Sequence, residues 1–498
     1  MRVVTQAAAL TEEDASNECV VAAPAKLPPG PKSPALIQAV GYWTRPLAFI
    51  EHCRKRYGPR FTIRLPASPP FVMLTRPDDV KKVFTAPPDV LAPGRGARVL
   101  EPVVGSTSVI LLDGDAHMEQ RRLMLPAFHG ERMERLAGLV QAVAEREVTN
   151  WSCERPVELH PRMQQLTLEI ILRAVFGLET GPRLDALRAR LGHMLAFGDK
   201  PISLLPLPID SRRARLLVRV GPFASFWRQR QDADELIFEQ IEERRREQRE
   251  NPESHADRDD VLAMLLEARH ENGTSMSADE LRDELLTLLV AGHETTASAL
   301  AWAFQCLAAD RRAVARLRDE IDADGAQSAY LLATIYETLR HRPVLPNAAP
   351  RLVLEPFELG GVMYPPGVCL VPNAYLLHHD PARYPDPYVF SPQRWLEEDG
   401  SVRKPGTYEW IPFGGGRRRC LGASFALLEM KIVLRAVLGA RELRPVTDHP
   451  EPPRRRNITI RPARGGTAWL VPWSKVDFNG AEQQSPRAVM AAIAGEDD

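Results

Sequence analysis

The chain is poor in cysteine, in long apolar runs and in net charge. Its 498 residues carry six cysteines, Cys19, Cys53, Cys153, Cys306, Cys369 and Cys420, and no C-x-x-C pair. That spacing excludes a disulfide framework or a structural zinc site as the organising feature, and it suits a reducing compartment. No run of about 18 apolar residues occurs, so no membrane-spanning helix is expected. Lys and Arg number 64 against 65 Asp and Glu, a formal net charge of −1. Whole-molecule charge therefore gives no case for nucleic acid or an anionic membrane as the main partner. Met1-Arg2-Val3-Val4-Thr5-Gln6 lacks the basic-then-apolar order of a secretion signal. Internal repeats and a long internal linker are also absent. The expectation is a soluble, cytoplasmic protein. Apolar residues at 44% and charged residues at 26% supply an ordinary globular core.

Residues 1–27 are small and polar without a period, and read as a mobile leader. Leu27-Pro28-Pro29-Gly30-Pro31 starts the folded body stiffly. One catalytic domain is expected over 28–474, then a loose tail over 475–498 with room for a short helix at 486–494. Strand signals are few. Phe61–Leu65 and Phe71–Thr75 flank Pro69-Pro70 as a hairpin, and a short β region is expected near 352–371. Helical periodicity covers 132–150, 163–177, 226–249, 278–309, 311–323, 328–341 and 421–438. The fold class is mainly α with a small β region.

Residues 278–309 break local rules. Ser277-Ala278-Asp279-Glu280 is a capping-box signature. The helix it opens is apolar nearly all round, so it should cross the core. Yet Gly292, Glu294, Thr295 and Thr296 stand in its middle. Glycine weakens a helix and a buried carboxylate is costly. Such violations mark functional sites, although a neighbouring loop could also satisfy a polar stripe.

Phe413-Gly414-Gly415-Gly416-Arg417-Arg418-Arg419-Cys420-Leu421-Gly422 is the most informative stretch. Its glycines allow a tight turn and close approach of backbone to something flat. A helical pattern follows Cys420, which places the sulfur near a helix N-terminus that favours thiolate. A phosphate cradle is the alternative, but the stretch lacks the Lys-Ser/Thr ending of a nucleotide loop and would need no cysteine.

The stretch resembles the haem-ligand signature of the cytochrome P450 family, Phe-x-x-Gly-x-Arg-x-Cys-x-Gly, at Phe413, Gly416, Arg418, Cys420 and Gly422. The resemblance runs from about residue 28 to 472 in the family's order. It implies one haem b (iron protoporphyrin IX) with Cys420 as the iron ligand and metal site, and Phe413 shielding the sulfur. Asp113-Gly114-Asp115-Ala116-His117 with Arg121-Arg122 resembles the helix that grips a haem propionate through His117 and Arg121. Arg418 and Arg351 match further propionate positions. Ala291-Gly292-His293-Glu294-Thr295-Thr296 matches the oxygen-activation motif, which implies Thr295 and Glu294 as catalytic groups and Ala291 and Gly292 beside the haem. Glu337-Thr338-Leu339-Arg340 and Arg394 match a structural Glu–Arg–Arg network. His293 is expected to be a satisfied helix histidine, and His378-His379-Asp380 a family loop rather than a metal site.

The implied activity is monooxygenation: one atom of O2 enters a hydrophobic small molecule such as a fatty acid, terpenoid or steroid. Electrons come from a separate ferredoxin or flavodoxin and its reductase, because no flavin domain follows Cys420. Arg417, Arg419, Arg122 and Arg54 are candidate docking groups. The mostly apolar segments 91–112, 197–225 and 345–349 are expected to line the substrate pocket, among them Val99, Leu100, Val103, Val109, Ile110, Leu204, Leu205 and Leu207. Two other classes remain open: a peroxide-using or O2-independent haem-thiolate enzyme, and a haem-binding sensor or carrier without turnover.

Overall fold

Four of the described helices begin at a side-chain cap the sequence supplies: Asp260, Ser277, Ser328 and Asn373. The computed structural model describes residues 27–128, 131–178, 181–196, 224–251, 253, 258–324 and 328–473. The expected long helix is Ala278–Ala308, 31 residues. Glu280 N–H donates to Ser277 Oγ at 3.2 Å, and Ser277 N–H donates to Glu280 Oε2 at 2.7 Å. This reciprocal pair satisfies two otherwise unpaired donors of the first turn. Ser328 opens Ala329–His341 by accepting from Leu331 N–H. Helix Leu159–Phe176 ends at Gly177 with φ 63°, where a Cβ would lie 2.3 Å from Asp260 Oδ2. Left-handed backbone and that approach together require glycine.

The central helix Ala278–Ala308 crosses the core. Leu285, Leu289, Leu300, Trp302, Phe304 and Leu307 are fully buried. Leu159–Phe176 lies along it, and Ala423–Ala440 and Ala329–His341 also pack against it. Glu131–Thr149 covers Ala423–Ala440 from outside. Trp302 Nε1 donates to Ile460 O at 2.9 Å, which ties the C-terminal third of the helix to the hairpin Pro453–Arg456/Thr459–Pro462. The remaining expected helices are Ala224–Glu250 and Arg311–Asp324. Among the described residues no helix is long and apolar enough to cross a membrane.

The expected hairpin pairs Arg60–Ile63 with Phe71–Leu74, Phe61 opposite Met73. The stretch 352–371, read as one short β region, divides in two. Arg351–Val353 and Cys369–Pro372 extend the hairpin into a five-stranded sheet that ends on Leu91–Ala92, and Cys369–Pro372 runs parallel to Phe71–Leu74. Between them Phe357–Leu359 and Val362–Tyr364 form their own hairpin around Gly360 and Gly361, φ 59° and 79°. Two successive positive φ values make the primed turn that suits right-twisted strands. The C-terminal strands were not foreseen. Thr467–Val471 lies between Glu442–Pro445 and Val157–Glu158. Arg454-Arg455-Arg456 carries no apolar alternation to announce a strand. The leader, the tail and the segment holding Leu204, Leu205 and Leu207 lie outside the described residues.

Candidate active site

The cysteine loop is shaped by close approach. Gly416 has φ 64°, and a Cβ there would meet Phe84 O at 2.2 Å. A Cβ on Gly415 would meet the Phe84 ring at 2.4 Å. These glycines let the loop lie against helix Pro77–Thr85. Cys420 N–H then donates to Phe413 O at 2.9 Å. Helix Ala423–Ala440 starts just beyond, so the sulfur sits at its N-terminus. Cys53, Cys306 and Cys369 are buried, whereas Cys420 is exposed by surface area. Protein nevertheless crowds the Cys420 sulfur enough to push its thiol up, and the Gly422 N–H, Arg121 and Arg419 oppose that shift. A cysteine both accessible and enclosed faces an internal space. Its N–H and cationic neighbours favour a thiolate. The Phe413 ring lies edge-on to Trp410, centroids 5.9 Å apart.

Cationic groups converge beside this loop. His117, on helix Gly114–Met124, lines one cavity with Arg351, Arg417 and Arg418. Burial drives His117 down to about 3, and Arg418, Arg121 and Arg351 push it further in that direction. Arg351 and Arg418 fall to about 10, chiefly through burial; Arg418 weakens Arg351 and Arg121 weakens Arg418, while Asp113 opposes both shifts. Asp113 accepts from Arg418 Nη2 at 2.8 Å and from Gly94 N–H at 2.7 Å. Such crowding of positive charge is relieved by an anion. Arg121 stands slightly apart, donating to Arg419 O at 2.9 Å.

In the middle of the otherwise buried central helix, Ala291 is exposed and Gly292, Glu294 and Thr295 are half-buried. Ala291 and Thr295 share a face by i, i+4 spacing. Thr295 Oγ donates to Ala291 O at 2.6 Å, leaving the hydroxyl lone pairs free to accept. A Cβ on Gly292 would point at Ile171, 3.1 Å away. The first demand on this glycine is therefore the close approach of two helices. His293 is buried against Thr167, Nδ1 to Oγ 3.0 Å, as expected of a structural histidine. Glu294 is held by Arg456, by Gln164 Nε2 at 2.8 Å, by Ser298 Oγ at 3.1 Å and by His160 Nε2 at 3.3 Å. His160 and Gln164 also border a cleft of about 540 Å³. Sequence reasoning missed all four partners of Glu294. Arg456 sits in an arginine run that looks like solvated surface, and only the fold brings residues 160 and 456 to the central helix.

A buried network braces the cysteine loop. Arg340 donates to both Glu337 oxygens at 2.8 Å. Arg394 Nε and Ser391 N–H reach Glu337 Oε1 at 3.0 and 2.8 Å, and Trp395 Nε1 reaches Oε2 at 2.9 Å. Arg340 also donates to His378 O at 2.9 Å, and His378 Nε2 accepts from Ile411 N–H at 2.8 Å. Ile411 lies two residues before Phe413, so the network runs into the loop. His379 bonds Tyr375 O, which leaves His378-His379-Asp380 in a structural role.

These donors fit a haem. One enclosed, accessible cysteine at a helix N-terminus suits a single iron bond, and buried cations beside it suit two carboxylates. The comparisons with known proteins agree. A model of the cytochrome P450 family matches residues 27–467. Cytochrome P450 135B1 of Mycobacterium tuberculosis is 38% identical over 443 residues, 88% of this chain and 90% of that one. Cytochrome P450 138 of the same organism is 37% identical over 454 residues, 90% and 98% of the two chains. Among solved structures, the retinoic acid bound cyanobacterial CYP120A1 superimposes with a TM-score of 0.76 at 22% identity, over 90% of this chain and all of that one. The chain belongs to the cytochrome P450 family and is a haem-thiolate monooxygenase.

Proposed function

We propose that this chain, as one domain over 28–474 in the cytoplasm, uses haem b to oxidise a hydrophobic small molecule of the fatty-acid, terpenoid or steroid kind. The observation that carries the reading is Cys420, accessible just before helix Ala423–Ala440 in a glycine turn held against Phe84, on the loop whose Arg418 lines a cavity with His117 and Arg351. The haem supplies the redox chemistry by which dioxygen is activated, and the thiolate's electron donation assists it. The protein's own groups hold the cofactor and move protons. His117, Arg351 and Arg418 take the propionates, with Arg121 bracing the loop backbone beside them. Phe413 packs beside the sulfur. Ala291 and Gly292 form the helix surface over the haem.

Thr295 orients rather than supplies a proton, because its hydroxyl hydrogen is spent on Ala291 O. Its lone pairs accept from a water or from a protonated oxygen. Glu294 is the proton carrier. Its ties to His160 and Gln164 lead toward the cleft they border, from which protons enter.

Val103, Val109 and Ile110 pack with the main core and give the pocket an apolar wall. Val99 is 61% exposed and does not pack into that core. Retinoic acid in the superimposed relative favours the same substrate class. Electrons come from a ferredoxin or flavodoxin with its reductase, docked at the exposed Arg417 and Arg419. Arg122 is paired with Glu271, and Arg54 is taken up by Leu376 O and Asp380, so neither leads the docking. Spectral titration of the purified ferric protein with fatty acids, terpenoids and steroids tests the reading. At least one class is expected to displace the iron-bound water; a response confined to small polar compounds would overturn the substrate assignment.

A further inference from the structure

Residues 105–113 form a strap between the central helix and the cysteine loop. On one side Asp283 Oδ2 accepts from Thr107 N–H at 2.9 Å and from Thr107 Oγ at 2.7 Å. Gly105 lies so close that a Cβ would meet Asp283 Oδ1 at 1.9 Å. Thr287 spends its hydroxyl hydrogen on Asp283 O, so Ser108 is the donor in the 2.7 Å bond between Ser108 and Thr287. Val109 N–H donates to Glu284 Oε1 at 2.7 Å. On the other side Arg418 donates to Val109 O, Ile110 O and Leu112 O and to the Asp113 carboxylate. The strap thus holds Arg418 by a fan of carbonyls, and its own place is set by three side chains of the central helix.

Glu284 is the unusual member. It is fully buried, with the neutral amide of Gln120 as its side-chain partner. The groups facing it are the Val109 N–H from the strap and Gln120 from helix Gly114–Met124, which favour its ionised form, and the like charges Asp283 and Glu280 on its own helix, which together with the larger effect of burial favour the neutral acid. Arg282 is turned to Asp283 and Asp234 instead. Among the described residues no cation therefore compensates an ionised Glu284. A buried, uncompensated carboxylate beside another is strongly disfavoured.

We propose that Glu284 is a positioning residue for the active-site rim: as a neutral acid it latches the strap through Val109 and so fixes Arg418, and ionisation favours the released strap. The proposal rests on the reading of Arg418 as a haem-carboxylate group. Burial raises Glu284 to about 8, so the closed strap holds the proton and the open strap gives it up at an ordinary carboxylate value near 4.5. The sign follows. The latch is firm below the open-state value, weakens as pH rises from there toward 8, and changes no further above it.

The test is amide hydrogen exchange on the haem-loaded protein from pH 5.5 to 9, with base-catalysed intrinsic exchange divided out. Protection at Thr107 and Val109 is expected to fall by up to about tenfold per pH unit and to level off near 8. Amides of the hairpin Arg60–Ile63/Phe71–Leu74 stay flat as the internal control. E284Q keeps the acceptor and cannot ionise, so its strap protection is expected to be high and independent of pH. Carbon monoxide association after flash photolysis of the ferrous protein should speed up with pH in the wild type and not in E284Q. A flat wild-type profile, or the same pH dependence in E284Q, overturns the latch. Should E284Q fail to accumulate, the wild-type strap against its hairpin control decides alone. The Soret band of the same samples reports sulfur ligation separately, so failure of the latch and failure of the haem-site reading are distinguishable.

Discussion

At the scale of single residues, function depends on which hydrogen each donor has already committed. Thr295 gives its hydrogen to Ala291 O, so the role proposed for it rests on its lone pairs. T295A is expected to cut product formation about 100-fold while reductant is still consumed, because proton delivery loses its guide. T295S is expected to restore most of it. Product formed per reductant consumed measures this, and full coupling in T295A would contradict the role. Glu337 accepts from Arg340, Arg394, Trp395 and Ser391 and is completely buried. E337A leaves two guanidiniums without their anion and is expected to cost about 3–5 kcal/mol, enough to prevent accumulation of folded haem protein. Chemical denaturation and haem content check it.

At the scale of elements, the sequence was most legible where periodicity and caps agree. Ser277 and Glu280 announce the central helix, and the helix starts there. The Gly/Arg run announces the cysteine loop, because close approach to Phe84 leaves no room for a Cβ. What was not legible is pairing between distant segments. Asp283, Glu284 and Thr287 read as polar residues in the first turns of a helix, and nothing local says that Thr107, Ser108 and Val109 meet them. The same holds for Arg456 with Glu294. Gly292 shows a subtler limit: its motif is plain in sequence, but its contact with Ile171 is not. The central helix also carries a packing prediction. Trp302 is fully buried and anchors Ile460, so W302A is expected to destabilise by about 3–5 kcal/mol. Thermal unfolding of the holoprotein reads this, and a change under about 1 kcal/mol would mean that the helix is not the keystone of the core.

At the scale of the whole molecule, buried titratable groups set the pH range. His293 and His378 are fully enclosed and lowered to about 3, and His341 and His379 are lowered by burial as well. They fold neutral, so the unfolded chain binds more protons below the ordinary histidine value of 6.5, and stability falls as pH drops from there. Glu284 and Glu429 are raised to about 8, so stability falls as pH rises from the ordinary 4.5 toward 8. With His117, likewise lowered to about 3, five histidines outweigh two acids between 4.5 and 6.5, and from 6.5 to 8 the two acids set the slope. Melting temperature is expected to peak near pH 6.5, and a monotonic rise to pH 9 would contradict this balance.

All of these scales meet at one iron–sulfur bond. The most direct measurement is the carbon monoxide difference spectrum of the dithionite-reduced protein, alongside C420A and C420H. The wild type is expected to show the long-wavelength Soret band of thiolate ligation, C420A to lose it, and C420H to shift it to the shorter wavelength of a nitrogen ligand. A wild type without the long-wavelength band, or a C420A protein that keeps it, would contradict the account.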